Sequence, residues 1–261
     1  MMPPLLEATD LHKSYGRIAV LRQVSLHIAA GEGHVVIGPN GAGKTTLFKV
    51  LTGEVLANQG RIRFQGQDIT HEPAHRRVHR GFGRTFQVAR VFTQLTVRDN
   101  LRLAIEAHRR RGRILGGLLR DFSAAEAAAI EAEVETLLAD AGLQRQSGQG
   151  AGTQAYGDRK RLELAMVLAQ QPSLLFLDEP TAGMSAAERQ ATVQLLRRVR
   201  EQRRLAMLLT EHDMAVVFGL ADRISVLHHG ELIASGTPEA IREHARVREV
   251  YLGEEAADVH A

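Results

Sequence analysis

"GPNGAGKTT", Gly38 to Thr46, packs three glycines, a proline and a lysine into nine residues, directly after the apolar run "HVVI". So unstable a loop makes sense only when something fills it. Gly38, Gly43, Lys44 and Thr45 fit the spacing G-x-x-x-x-G-K-[ST], in which successive backbone N–H groups line a concave nest for nucleotide phosphates. Pro39, Asn40, Gly41, Ala42 and Thr46 complete the stretch. The flanks agree with this reading: His34 to Ile37 reads as a short buried strand, and "KTTLFKVLTG" carries apolar residues at helical spacing with Gly53 as its stop. The predicted order is strand, glycine loop, helix N-terminus, and the helix dipole adds positive potential at the loop. Lys44 would reach the β- and γ-phosphates, and the Thr45 hydroxyl would ligate the Mg²⁺ that bridges them. The competing reading is an ordinary glycine-rich turn, and both flanks count against it.

Working outward, 261 residues with 44% hydrophobic content suit a folded globular chain of one large or two small domains. There is no cysteine, which excludes disulfides and thiolate metal sites and fits a reducing compartment. Apolar runs such as "SLLFL" and "LAMLL" fall far short of the ~20 residues that span a bilayer. "MMPPLLEATD" lacks the basic start and long apolar stretch of a signal peptide, so a cytoplasmic location is expected. Net charge is only +3, yet arginines cluster in "HRRVHRGFGR" (75–84) and "HRRRGR" (108–113). Such runs are most often solvated surface, and no nucleic-acid partner is assigned to them. His71, His75 and His79 recur every fourth residue, a spacing that would align them on one helix face. Arg76, Arg77 and Arg80 crowd the same turns and carboxylates are missing, which argues against a metal site.

Along the chain, "LLEATDL", "VLRQVSLHI", "GHVVIG" and "GRIRFQG" read as strands between polar breaks. From about Thr96 to Gln171 the pattern is helical. Its clearest segments are "TVRDNLRLAIEAHRR", the stretch "SAAEAAAIEAEVETLLADAGL" with a Ser123–Glu126 capping box and a Gly142 stop, and "RKRLELAMVLAQQ". After Pro172, "SLLFLD" and "LAMLLT" flank a helix from Ala186 to Glu201, the β-α-β signature of a parallel sheet. "DRISVLHHGELIASG" reads as a hairpin turning at His229-Gly230, followed by an amphipathic tail from Pro238 to Leu252. The expected architecture is one α/β core interrupted by a helical insertion.

The second half supplies what a phosphate loop needs. "LLFLDEP" places Asp178 and Glu179 at the carboxyl edge of a buried parallel strand, where ligands collect in α/β sheets. Asp178 would hold Mg²⁺, and Glu179 would polarise the water attacking the γ-phosphate. His212, in "LLTEHDM", follows the next strand and should lie at the same edge, able to bond the γ-phosphate and position that water.

With these residues in place, the chain resembles the nucleotide-binding subunit of an ABC transporter, over nearly its whole length. Six elements stand in that family's order: Tyr15 in "KSYG" for stacking on adenine, the loop Gly38 to Thr46, Gln87 in "RTFQ", "AYGDRKR" as signature, "LLFLDEP", and His212. The resemblance implies an ABC-type P-loop NTPase fold, with a RecA-like parallel core, an antiparallel β subdomain and a helical subdomain. Residues 1–95 and 172–236 would form the ATP-binding core, 96–171 the helical subdomain, and 237–261 a helical tail. It further implies catalytic roles for Glu179, His212 and Gln87, and Mg²⁺ contacts from Thr45, Gln87 and Asp178. Two cassettes, identical or different, would pack head to tail. ATP would then lie between one chain's phosphate loop and the other's signature, Ala155, Tyr156, Gly157 and Asp158. Gly157 precedes "RKRLELAMVLAQ", so the amides of that helix would aim at the partner's γ-phosphate.

Two departures stand out. The family's L-S-G-G-Q appears as Gln154 to Asp158, with Ala155 where a serine hydroxyl would donate a bond worth about 1 kcal/mol. Ser185, in "TAGMS", stands where many members carry aspartate. Hydrolysis is expected, slowed in the absence of partners. "GRIRFQGQDIT", "RTFQ", "YGDRKRLELA", "DEPTAGM" and "VREVYLGE" resemble importer subunits for branched-chain and other hydrophobic amino acids. That resemblance implies two permeases, a periplasmic solute-binding protein and a peripheral place on the cytoplasmic face of the membrane. Val88 to Leu101 would meet the permeases, although Val91 and Phe92 serve equally well as core of the insertion. The alternatives are a soluble ABC ATPase without a transport role and an ATPase of the lipopolysaccharide-export type.

Overall fold

The apolar run before the glycine loop forms β3 (Gly33–Ile37), buried at all five positions. A strand covered on both faces belongs in the middle of a sheet. In the computed structural model β3 pairs in parallel with β8 (Ala206–Thr210) on one side and β9 (Arg223–His228) on the other. β8 pairs in parallel with β7 (Leu174–Asp178). The six-stranded order is β10-β9-β3-β8-β7-β6, with β10 (Glu231–Gly236) and β6 (Phe82–Arg84) at the edges. The expected hairpin is present: β9 and β10 are antiparallel, and His229 and Gly230 both carry positive φ, 47° and 82°. That pair of signs is what a two-residue turn matching strand twist requires.

β1 (Leu6–Tyr15), β2 (Ile18–Ile28), β4 (Gln59–Phe64) and β5 (Gln67–Asp68) make a separate antiparallel sheet in the order β2-β1-β4-β5. Apolar residues of β1, β2 and β4 join those of α1 (Lys44–Thr52) and the parallel strands in one buried cluster. At its centre Phe82 lies 4.6 Å from Phe64 and 5.1 Å from Phe176 between ring centroids, and Phe48 meets Phe176 edge-on at 5.8 Å. This packing holds the helix that carries the glycine loop.

The structure describes residues 3–86, 88–110 and 122–250. Gln87, part of the second arginine run and the end of the tail from residue 251, Leu252 included, lie outside them. The chain divides into two compact units, Met1–Phe82 with Ser173–Glu179 and Leu196–Ala261, and Gly83–Pro172 with Pro180–Leu195. In the second, α3 (Val97–Arg109), α4 (Ala124–Ala141) and α5 (Tyr156–Leu168) pack on one another. Arg98, Arg102 and Arg109 pair with Glu131, Glu135 and Glu133 along the α3–α4 seam. Exposed pairs of this kind contribute about 1 kcal/mol or less each. The seam is held mainly by Val97, Leu101 and Ile105 and by Ile130, Val134 and Leu138, all buried. The capping box is formed, with Glu126 N donating to Ser123 Oγ at 3.3 Å and Ser123 N to Glu126 Oε2 at 2.9 Å. Gly142 ends α4 in the left-handed region. Between β7 and β8 runs α6 (Ala186–Arg203), which completes the β-α-β unit.

α7 (Met214–Leu220) precedes the β9–β10 hairpin, and after it α8 spans Pro238–Glu243 at the start of the tail. His244 is extended, with ψ 113°, before helical turns resume at 245–250. The histidines do not share a helix face, because α2 (Ala74–His79) begins after Pro73 and leaves His71 in the preceding turn. Finally, Arg77 is not solvated but fully buried. Its guanidinium donates to the carbonyls of Val50, Leu51, Ile69, Thr70 and Glu72 at 2.6–3.1 Å. Two of these, Val50 and Leu51, are carbonyls of the last turn of α1, which the helix's own i→i+4 bonds do not satisfy; Val50 O also accepts from Gly53 N at 3.2 Å. Burial pushes the Arg77 pKa down to about 10.

Candidate functional site

Gly38 turns the chain out of β3 with φ 156°, and a Cβ there would come within 2.0 Å of the Leu227 carbonyl oxygen in β9. Only glycine allows so close a backbone approach. The loop then doubles back, Ala42 N donating to Pro39 O at 3.2 Å, and α1 starts after Gly43. Lys44 is 8% exposed and arches over the loop, its Nζ donating to the carbonyls of Gly38 and Pro39. A fixed positive charge thus sits among the loop amides at a helix N-terminus, an arrangement suited to an anion. Val20, Pro39 to Thr46 and Glu179 line a cavity of about 260 Å³ there. A larger open groove of about 350 Å³ crosses the antiparallel sheet among Glu7, Thr9, Asp10, Gly60, Arg61 and Arg63. It holds neither the glycine loop nor a paired carboxylate and histidine, and the candidate site is the smaller cavity.

Asp178 ends β7 directly opposite Thr210 at the end of β8. The Thr210 hydroxyl donates to Asp178 Oδ1 at 2.8 Å, and Glu179 N donates to Thr210 O and Oγ1 at 3.1 and 3.2 Å. Glu179 is held at φ 47°, in the left-handed region that a non-glycine residue seldom occupies, and its side chain turns to the cavity wall. His212 Nε2 lies 3.1 Å from Glu179 Oε1. The next residue, Asp213, caps α7 by accepting from Ala215 N and Val216 N, which fixes the backbone beside His212. The loop, both carboxylates and the histidine therefore meet at one sheet edge, as expected. Thr210 escaped the sequence reading. The available signal was a hydroxyl ending an otherwise apolar strand whose parallel neighbour ends in an acid.

Tyr15 ends β1 at 45% exposure, with Lys13 Nζ 5.2 Å from its ring centroid. It is not among the residues lining the cavity.

The signature residues belong to the second unit. Here one expectation is corrected: Gly157 does not precede the helix but sits in its first turn, since α5 begins at Tyr156 after an extended Ala155. Gly157 leaves room for the Glu188 carboxyl, since a Cβ there would stand 2.4 Å from Glu188 Oε1 and displace that side chain. Glu188 in turn accepts from Ser185 N and Oγ at 2.9 and 2.6 Å, and these bonds hold its carboxyl below the ordinary range. The Tyr156 ring covers Gly183, which has φ 75°, at 3.4 Å from where a Cβ would stand. The signature turn thus lies beside the segment that carries Ser185, through Tyr156 at Gly183 and Gly157 at Glu188. Asp158 pairs with Arg161. Ala155 caps α5 without any side-chain bond. Beyond Gln87, Val88 and Phe92 are 74% and 53% exposed, whereas Val91 is half-buried.

The ABC transporter family pattern matches residues 21–182, and that of the branched-chain amino acid ATP-binding cassette transporters matches 231–257. The chain is 37% identical over 256 residues to the high-affinity branched-chain amino acid transport ATP-binding protein BraF of Pseudomonas aeruginosa, covering 97% of this chain and 100% of that one. It is 38% identical, with the same coverage, to LivG of Escherichia coli strain K12, which carries the same description. A solved ATP-binding cassette of an ABC transporter in its ADP conformation has a TM-score of 0.81 and 26% identity, covering 97% of this chain and 100% of that one.

Proposed function

The chain belongs to the ABC transporter family, and we propose that it is the ATP-hydrolysing subunit powering import of branched-chain or other hydrophobic amino acids. The observation that carries this reading is identity of 37–38% along nearly the whole chain to subunits of that description, together with an intact phosphate loop facing Glu179.

The loop amides and Lys44 bind the triphosphate, and the exposed Tyr15 ring stacks on the base. Mg²⁺ fits this donor set. Among the described residues no cluster of three or more His, Cys, Asp or Glu could hold a metal by itself. Mg²⁺ typically needs only one or two protein oxygens, the rest coming from phosphates and water. Thr45 and Asp178 supply those oxygens, the latter oriented by Thr210, and the resemblance adds Gln87. When bound, Mg²⁺ neutralises charge developing on the phosphate oxygens. Glu179 holds the attacking water and accepts its proton, while His212 fixes the Glu179 carboxylate and faces the γ-phosphate.

In the assembly, Ala155, Tyr156, Gly157 and Asp158 serve the nucleotide of a second cassette packed head to tail. Residues 1–95 and 172–236 act as nucleotide core, 96–171 as helical arm and 237–261 as tail. Val88 and Phe92 offer exposed apolar contacts to two permeases fed by a periplasmic solute-binding protein. Among the described residues no helix is long and apolar enough to cross a membrane. In this reading the permeases hold the chain peripherally on the cytoplasmic face.

The test is purification of the tagged chain from detergent-solubilised membranes of its host, with uptake of labelled leucine measured after gene deletion. Two polytopic proteins should co-purify and uptake should fall. Recovery with ribosomes or DNA and no membrane protein would favour a soluble ABC ATPase, and unchanged uptake with lipopolysaccharide defects would favour the export type.

A further inference from the structure

Glu163 lies in the middle of α5 at 3% exposure, and nothing in the reaction above uses it. A buried carboxylate is costly unless hydrogen bonds compensate it. Here Oε1 accepts from the backbone N–H groups of Phe86 and Arg90 at 3.3 and 3.0 Å. Three residues earlier on the same helix face, Lys160 is 5% exposed and donates to the Phe86 carbonyl at 2.7 Å. The Phe86 residue is thus gripped at both its N–H and its C=O. The Arg90 guanidinium lies 3.7 Å from the Phe86 ring centroid, which folds the segment onto itself. Burial pushes the Glu163 carboxyl up, against the pull of these N–H groups and Lys160.

The described residues between β6 and α3 form neither helix nor strand. Leu95 N donates to Phe92 O, and Thr93 O and Leu95 O accept from Gly152 N and Ala151 N, whereas the Phe86 N–H and C=O and the Arg90 N–H are met by the Glu163 and Lys160 side chains. The gripped residues, Phe86 and Arg90, bracket Gln87 in sequence, and the helix that holds them starts at the signature. We infer that Glu163 and Lys160 are positioning residues that tie the Phe86–Arg90 segment to the helix bearing Ala155–Asp158, so that both move as one body during the ATPase cycle. This deepens the ATPase reading and rests on it for its kinetic arm only.

The test combines amide hydrogen exchange with steady-state ATP hydrolysis for the full chain and for Glu163→Ala, Glu163→Gln and Lys160→Met. Glu163→Ala should speed exchange at the Phe86 and Arg90 amides at least about tenfold while the α1 amides keep their protection, one decade corresponding to about 1.4 kcal/mol. Its kcat should fall at least about fivefold with KM for ATP within about twofold, as expected when a transition-state arrangement is lost without ground-state binding. Glu163→Gln keeps an acceptor oxygen and should restore most of both. Lys160→Met, which can be read even if Glu163→Ala fails to fold, should lower kcat with KM unchanged. Unaltered exchange at Phe86 and Arg90 in folded Glu163→Ala, or unaltered kcat in Lys160→Met, would overturn the inference. Absence of hydrolysis by the unmodified chain would instead sink the ATPase reading, while the exchange arm would still decide the grip.

Discussion

His212 Nε2 stands 3.1 Å from Glu179 Oε1, and the two side chains come from the ends of separate chain segments at one edge of the parallel sheet. Neither is free to wander. Glu179 is pinned through its backbone to Thr210, and His212 is followed at once by the cap of α7. A carboxylate oriented by an imidazole and aimed at a cradle of phosphate-binding amides is an arrangement for activating water.

His212→Ala should therefore leave Glu179 in place but less well directed. We expect kcat to fall at least about tenfold with little change in KM for ATP, the low end of what positioned acid–base groups contribute. Phosphate release over a range of ATP concentrations checks this, and a rise in KM at constant kcat would place His212 in ground-state binding.

Thr210→Val removes the hydroxyl that donates to Asp178 and accepts from Glu179 N. Each such bond is worth about 1 kcal/mol net. Thermal unfolding should show a loss of about 1–2 kcal/mol, and hydrolysis should need more Mg²⁺ for half-maximal rate. An unchanged Mg²⁺ dependence would separate Thr210 from the metal's ligand.

Arg77→Met removes a donor from five carbonyls, of which Val50 O keeps Gly53 N and Ile69 O keeps Glu72 N while Leu51 O, Thr70 O and Glu72 O lose their Arg77 bonds. Unsatisfied buried groups cost about 1–3 kcal/mol each. The expected outcome is a destabilisation above about 3 kcal/mol in denaturant titration, and Arg77→Lys should recover little of it because one ammonium cannot reach across the same fork. Near-native stability of either variant would contradict this role.

Ala155→Ser places a hydroxyl at the N-cap of α5, where no side-chain bond now exists. The cap should add about 0.5–2 kcal/mol of stability. Hydrolysis should be equal or higher, since the hydroxyl also restores the donor usual at this signature position. A fall of tenfold or more in activity would show that this segment meets ATP differently.

Most of the fold was legible because its signals are local. The glycine loop follows directly on a buried strand, the capping box lies within four residues, and the His229-Gly230 turn declares itself. The misreadings share a cause, partners distant in sequence. Arg77 looks like surface charge within an arginine run, and only folding brings the Val50 and Leu51 carbonyls to it. Gly157 reads as a helix break because glycine is a poor helix former. The helix nevertheless takes it into its first turn, beside the Glu188 carboxyl. Glu163 and Lys160 carry no local signal in the sequence, and both are buried against a loop more than seventy residues away.

The most direct measurement is release of inorganic phosphate from Mg²⁺-ATP by the purified chain and by Glu179→Gln, with ATP binding followed in parallel. The account predicts turnover by the unmodified chain, a loss of at least about 100-fold in the variant, and retained ATP binding through the loop and Lys44. Equal turnover in the variant would remove Glu179 from the reaction and with it the mechanism proposed for this site.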